Sequence, residues 1–164
     1  EGGSRGQETW RLSAAAEPGF MKGGGVPGRI RTRETGADAE IGRQGSPRVT
    51  SVTGGDLTIA TRPSEAGFSP LDLLYAALAG CLVVSARSAA GELGLLDRFE
   101  AASARVRGEK AADGPSRVAA FHVEIGISGD LDAGERARIV ARAEELCTVS
   151  NTLHGAPRVV LSHG

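Results

Sequence analysis

The stretch SPLDLLYAALAGCLVVSARSAAGELGL, residues 69–95, limits this chain more than any other. Ser69 can cap a helix, and Pro70 falls at the first helical position, where its missing N–H is no loss. Asp72 completes an S-x-x-D capping box. Leu71, Leu74, Leu78, Cys81 and Ser85 then recur at helical spacing, and Gly91 and Gly94 mark the end. The helix is apolar on nearly every side until Arg87, so the chain must build its other elements around it and bury it. The apolar run inside it, 73–86, is broken by Gly80 and is too short and too small in side-chain size to be expected to span a bilayer.

The flanking sequence supplies the covering layers. Between residues 30 and 61 the pattern is one of short strands and turns, with GRQGSPR (42–48) and TGGD (53–56) as turns and LTIAT (57–61) alternating. After the helix come two strands, about 99–107 and 119–127, joined by EKAADGPS. The second puts Phe121, Val123, Ile125 and Ile127 on one face and His122 and Glu124 on the other. DAGERARIVARAEELC (132–147) is an amphipathic helix, capped by Asp132 with Glu135 three residues on. Val140, Ala143 and Cys147 share its face. It is expected to stop near Thr148, with Ser150 and Asn151 bonding its last carbonyls, and PRVVLS (157–162) reads as a closing strand. The order of elements is that of an α+β domain over residues 29–164. Residues 1–28, rich in Gly, Ala and Ser, are expected to be a poorly ordered tail.

Charge excludes some partners. The net charge of −1 and the scattered arginines give no basic face for nucleic acid or an anionic membrane, and 4% aromatics leave no base-stacking platform. No nucleic-acid or membrane partner is therefore expected. Arg11 and Glu17 interrupt the only candidate apolar leader, so a cytoplasmic, reducing location is expected.

Two cysteines are too few for a disulfide scaffold. Cys81 and Cys147 each sit on the apolar stripe of a core helix, and small core hydrophobes is one reading. A zinc site would need four ligands, and no C-x-x-C spacing exists, so no metal or other cofactor is expected. The other reading is a redox pair: one thiolate becomes a sulfenic acid and a neighbouring thiol condenses with it. Cys147 lies at a helix C-terminus, where partial negative charge opposes a thiolate. Cys81 lies roughly 18 Å along its helix and escapes that penalty. Cys81 is thus the better attacker and Cys147 the better resolver, provided a cation stands beside Cys81. Position alone leaves Arg33, Arg43, Arg48 and Arg62 open. Tyr75 and Phe68 read as core or interface contacts, and His122 as an outward strand residue.

SPLDLLYAALAGC (69–81), followed much later by ELCTVSNTL (145–153), resembles the OsmC/Ohr family of osmotically inducible and organic-hydroperoxide-resistance proteins. That family shows Ser/Asn-Pro, a Leu/Ala-rich helix start and a cysteine eleven residues after the proline, as from Pro70 to Cys81. Its second cysteine lies in C-P-V-S or a close variant, here Cys147-Thr148-Val149-Ser150. The resemblance covers about residues 30–162. It implies an intertwined homodimer, with antiparallel sheets wrapped around two central helices. It also implies thiol-dependent reduction of hydroperoxides, with Cys81 peroxidatic, Cys147 resolving and a dithiol such as a lipoyl group as reductant. An arginine in a Gly-Arg-x-Gly turn belongs to the Ohr type, and GRQG puts Arg43 there. The Ohr glutamate after the proline is replaced by Leu71. The nearest acid, Asp72, is a helix cap about 13 Å from Cys81 that could orient an arginine. The chain therefore looks more OsmC-like than strictly Ohr. The alternative is a non-catalytic binding or redox-sensing dimer on the same fold.

Overall fold

The structure, a computed structural model, describes residues 34–163. The expected tail, residues 1–28, and Arg33 lie outside the described residues. Three short strands open the described chain: β1 (Ala37–Glu40), β2 (Arg48–Ser51) and β3 (Asp56–Thr58). They form an antiparallel sheet in that order, with Ala39 opposite Val49 and Val49 opposite Leu57. The TGGD turn works because Gly54 takes φ +91°, a conformation open to glycine and resisted by other residues.

Helix α1 (Pro70–Glu92) begins as its sequence requires. The Asp72 N–H donates to Ser69 Oγ at 3.2 Å, and Asp72 Oδ2 accepts the Ser69 N–H at 2.9 Å and its hydroxyl at 2.7 Å. Strands β4 (Phe99–Lys110) and β5 (Val118–Gly129) follow as one long antiparallel hairpin. Its inner face presents Ala102, Ala104 and Val106 from β4, and Phe121, Ile125 and Ile127 from β5, to the buried core. Val123, on the same side by parity, stays 39% exposed. Gly108 allows the close approach of α1, because a Cβ there would collide with the Tyr75 hydroxyl. Tyr75 in turn meets the Phe121 ring edge to face, centroids 6.1 Å apart.

Helix α2 (Ala133–Leu146) starts at a second capping box, Asp132 with Glu135. It packs on the C-terminal half of α1, where Ala86, Ala89 and Ala90 join Ile139, Ala143, Leu95 and Leu131 in one cluster. The small side chains let the helices come close, and the larger Ile139 fills the space between them. The architecture is α+β, with helices and antiparallel strands as expected.

Three expectations change. The chain does not leave helix at Thr148: Cys147, extended at φ −74° and ψ 101°, ends α2 and at once caps a further helix, α3 (Thr148–Gly155). Residues 157–162 pair with no strand among the described residues, and Val159, Val160 and Leu161 are 81%, 73% and 90% exposed. The apolar run is there, but no sheet edge among the described residues receives it. Helix α1, expected to be buried on nearly every side, is buried along one stripe only, at Leu78, Leu82, Ser85, Ala86, Ala89 and Ala90. Leu71 and Val84 are exposed on it. At 23 residues it is long and apolar enough, by length and composition alone, to cross a membrane, because the helix runs well past the apolar run that the sequence shows.

Candidate functional site

Cys81 comes from the middle of α1 and Cys147 from the junction of α2 and α3. The fold brings them into one apolar cluster. Leu78, Leu82 and Cys147 are its buried members, and Cys81, Ala104, Val106, Phe121, Ile125, Val149 and Leu153 pack against them. Both thiols are free, and Cys81 is near enough to Cys147 to help raise its pKa. They differ in access: Cys81 is partly exposed, whereas Cys147 has no exposed surface.

The environment of Cys147 is of mixed sign. Burial pushes its thiol pKa up, and the Cys81 thiol adds to that through a hydrogen bond and through its charge when ionised. The backbone N–H groups of Ser150 and Val149 pull the other way, the first reaching Cys147 Sγ at 3.4 Å. The helix-end expectation is therefore half right. Cys147 does follow the negative end of α2, but it also stands at the positive start of α3. Burial outweighs the α3 N–H groups, so Cys147 still holds its proton more firmly than an ordinary thiol.

Beside the pair runs a groove of roughly 690 Å³. Leu78 and Leu82 of α1, Phe121 and Ile125 of β5, Val140 of α2 and Leu153 of α3 make it mainly apolar. Ser150, Glu144 and His154 are its polar members. The His154 Nδ1 atom lies 3.0 Å from the Ser150 carbonyl, one helical turn back, and Ser150 itself is buried. Sequence reasoning placed Ser150 at the end of α2. It missed that this residue opens α3 with its N–H turned on the sulfur. The Ser150–His154 and Val149–Leu153 spacings were the available signal. Asn151 behaves as expected, its side-chain amide donating to the Glu145 carbonyl at 2.9 Å.

None of the remaining site residues bonds to either thiol among the described residues. Arg43 sits on the loop between β1 and β2, exposed, and makes no ion pair among the described residues. Arg48 is held by Asp56 at 2.7 Å, and Arg62 approaches Glu65 at 4.0 Å. Of the described arginines left open by the sequence, Arg43 is thus the one with its guanidinium uncommitted. Asp72 is engaged in its capping box, and the Ser69 hydroxyl and N–H hold its carboxyl below the usual range. Both Ser69 bonds fall on Oδ2, so Oδ1 is left for another donor. His122 points outward and pairs with Glu109 at 3.0 Å on the exposed sheet face. Among the described residues no three His, Cys, Asp or Glu side chains gather in a metal-holding group.

A family model described as "OsmC-like protein" matches residues 63–162. No curated protein matches the sequence. The OsmC-like protein of Mycoplasma pneumoniae superimposes with a TM-score of 0.65 at 19% identity, over 75% of this chain and 89% of that one. An organic hydroperoxide resistance protein OsmC from Legionella pneumophila gives 0.57 at 24% identity, over 75% and 90%. The organic hydroperoxide resistance protein OhrB of Bacillus subtilis gives 0.57 at 23%, over 75% and 92%. At these identities the likeness shows a shared fold.

Proposed function

We propose, for a chain that belongs to the OsmC-like protein family, that it is a thiol-dependent peroxidase reducing organic hydroperoxides. The observation that carries this reading is the meeting of two free thiols in one apolar cluster, one partly open and one sealed. Cys81, as thiolate, attacks the distal peroxide oxygen; the O–O bond breaks, and the alkoxide leaves and takes a proton as the alcohol. Cys81 is then a sulfenic acid. Cys147 displaces its hydroxyl as water and a Cys81–Cys147 disulfide forms. An external dithiol such as dihydrolipoamide returns two electrons by exchange. The apolar groove would receive the organic part of the peroxide.

A thiolate attacker is favoured by a neighbouring cation. Arg43 is the proposed one, supported by its uncommitted guanidinium and its place in the GRQG turn. Asp72, through its open Oδ1, is the proposed acid to orient it. Little contact joins the β1–β3 sheet to α1 among the described residues, so a homodimer, in which one chain's turn serves its partner's helix, is part of the proposal. Two free cysteines suit a cytoplasmic, reducing setting.

The test replaces Cys81 with serine and follows cumene hydroperoxide consumption with dihydrolipoamide. Turnover should vanish in Cys81→Ser and fall by about 10²-fold in Arg43→Gln. Undiminished turnover in Cys81→Ser ends the reading. A second reading, a binding or redox-sensing dimer without turnover, is favoured by one observation: Leu71 stands where the Ohr type carries the glutamate that follows the proline. Thiol titration after one equivalent of peroxide separates these. A binder keeps both thiols, a sensor loses both and does not cycle, and the peroxidase loses both and regains them with dithiol.

A further inference from the structure

The two sulfurs of the pair differ most in how they can be reached. Cys147 has no exposed surface and lies among Leu78, Leu82, Val149 and Leu153, whereas Cys81 is partly open. Thiol–disulfide exchange depends on which sulfur the incoming thiolate can approach and on how well the other departs. We infer that the external thiol reduces the Cys81–Cys147 disulfide by attacking Cys81, so that the mixed disulfide forms there and Cys147 is the departing sulfur. This rests on the proposed function for the existence of that disulfide, and adds to it the point at which the reductant engages.

Departure from Cys147 is assisted where it occurs. Its Sγ stands at the start of α3, within 3.4 Å of the Ser150 N–H, and the Val149 N–H also favours its anion. In the reduced pair the Cys81 thiol and charge oppose ionisation of Cys147. Once Cys81 is bonded to the reductant it carries neither proton nor charge, and that opposition is gone. Burial alone then works against the N–H groups. Attack at Cys147 would need a path through the leucine wall and would expel Cys81 instead.

The step balances as follows. The reductant thiolate forms a bond to Cys81 Sγ while the Cys81–Cys147 bond breaks, its electron pair leaving with Cys147, which then takes a proton. The reductant's second thiol, deprotonated, attacks the reductant sulfur of the mixed disulfide. A cyclic disulfide departs and Cys81 is released as thiolate. Two electrons have passed from dithiol to protein. Because the second step is intramolecular, a dithiol completes it far faster than a monothiol, which stalls at the mixed disulfide.

That stall gives the test. The intact protein is oxidised in one arm with diamide and in another with cumene hydroperoxide, then exposed briefly to glutathione. It is denatured in acid, the freed thiol is alkylated with N-ethylmaleimide, and the adducts are located by peptide mass spectrometry. Glutathione is expected on the Cys81 peptide and maleimide on the Cys147 peptide, in roughly tenfold or greater excess over the reverse. Glutathione on Cys147, or on both equally, overturns the inference. A disulfide formed by diamide and not by peroxide sinks the peroxidase reading and leaves the regiochemistry to be read from the diamide arm. A pair that neither oxidant links overturns both.

Discussion

A thiol sealed from water keeps its proton, and Cys147 is the sealed member of the pair. Its pKa is raised in the folded state, mainly by burial. Below the ordinary thiol value both folded and unfolded chains hold the proton, and the site costs nothing. Above it the unfolded chain ionises first, so stability falls as the pH rises towards the folded value. Under reducing conditions the urea midpoint is expected to decline on this alkaline side. In Cys147→Ser, which keeps a helix-capping oxygen and loses the titration, the decline should be shallower. Equal slopes would show that Cys147 is not the group responsible. The pairing of Cys81 and Cys147 was legible in the sequence because both lie on apolar stripes of helices that must share a core. The reach of Arg43 was not. A loop guanidinium is placed by tertiary contacts that local spacing does not encode.

At the scale of elements, the helix starts were the most legible features, since a capping box is written within four residues. Ser69→Ala removes the side-chain oxygen that accepts the Asp72 N–H, and should cost about 1 kcal/mol in urea unfolding. Glu135 does more. It accepts the Asp132 N–H at 3.0 Å and binds the Arg98 guanidinium, which also donates to the Asp130 carbonyl at 3.0 Å. The Arg98 bond is the chief reason that its carboxyl lies below the usual range. A lowered carboxyl stabilises the fold above its unfolded value and loses that contribution as the pH falls through its folded one. Glu135→Gln should therefore flatten the acid limb of the stability profile, measured by urea midpoint against pH. The hairpin offers a steric test: Gly108→Ala drives a methyl into Tyr75 and should destabilise by about 1–3 kcal/mol in the same assay. Helix α3 escaped the sequence because cysteine is not a usual cap, so Cys147 reads as an ending and gives no sign of a beginning. The closing strand at 157–162 does not form among the described residues: a short apolar run reports hydrophobic character, and a strand needs an edge to join.

At the scale of the whole molecule, the described chain leaves much apolar surface open. Val84 on α1 is 57% exposed, Phe68 just before the helix 51%, and Val52 51%. The sequence could announce that α1 must be covered on all sides, but not that one chain would cover only one of them. The exposed side chains of α1 are where the proposed second copy of the chain would pack. The purified protein should therefore scatter light as a dimer, and Val84→Glu should shift it towards monomer at equal concentration. A monomeric parent chain would remove the dimer from the proposal. The groove beside the thiols shows one more property of the molecule. Its walls belong to both α2 and α3, through Val140 and Glu144 on one and Leu153 and His154 on the other. Cys147 is the single residue between those helices, and its φ and ψ alone set the angle at which they meet. The sulfur that would close the proposed disulfide is mounted on that pivot, which would tie the width of the chamber to the redox state of the pair.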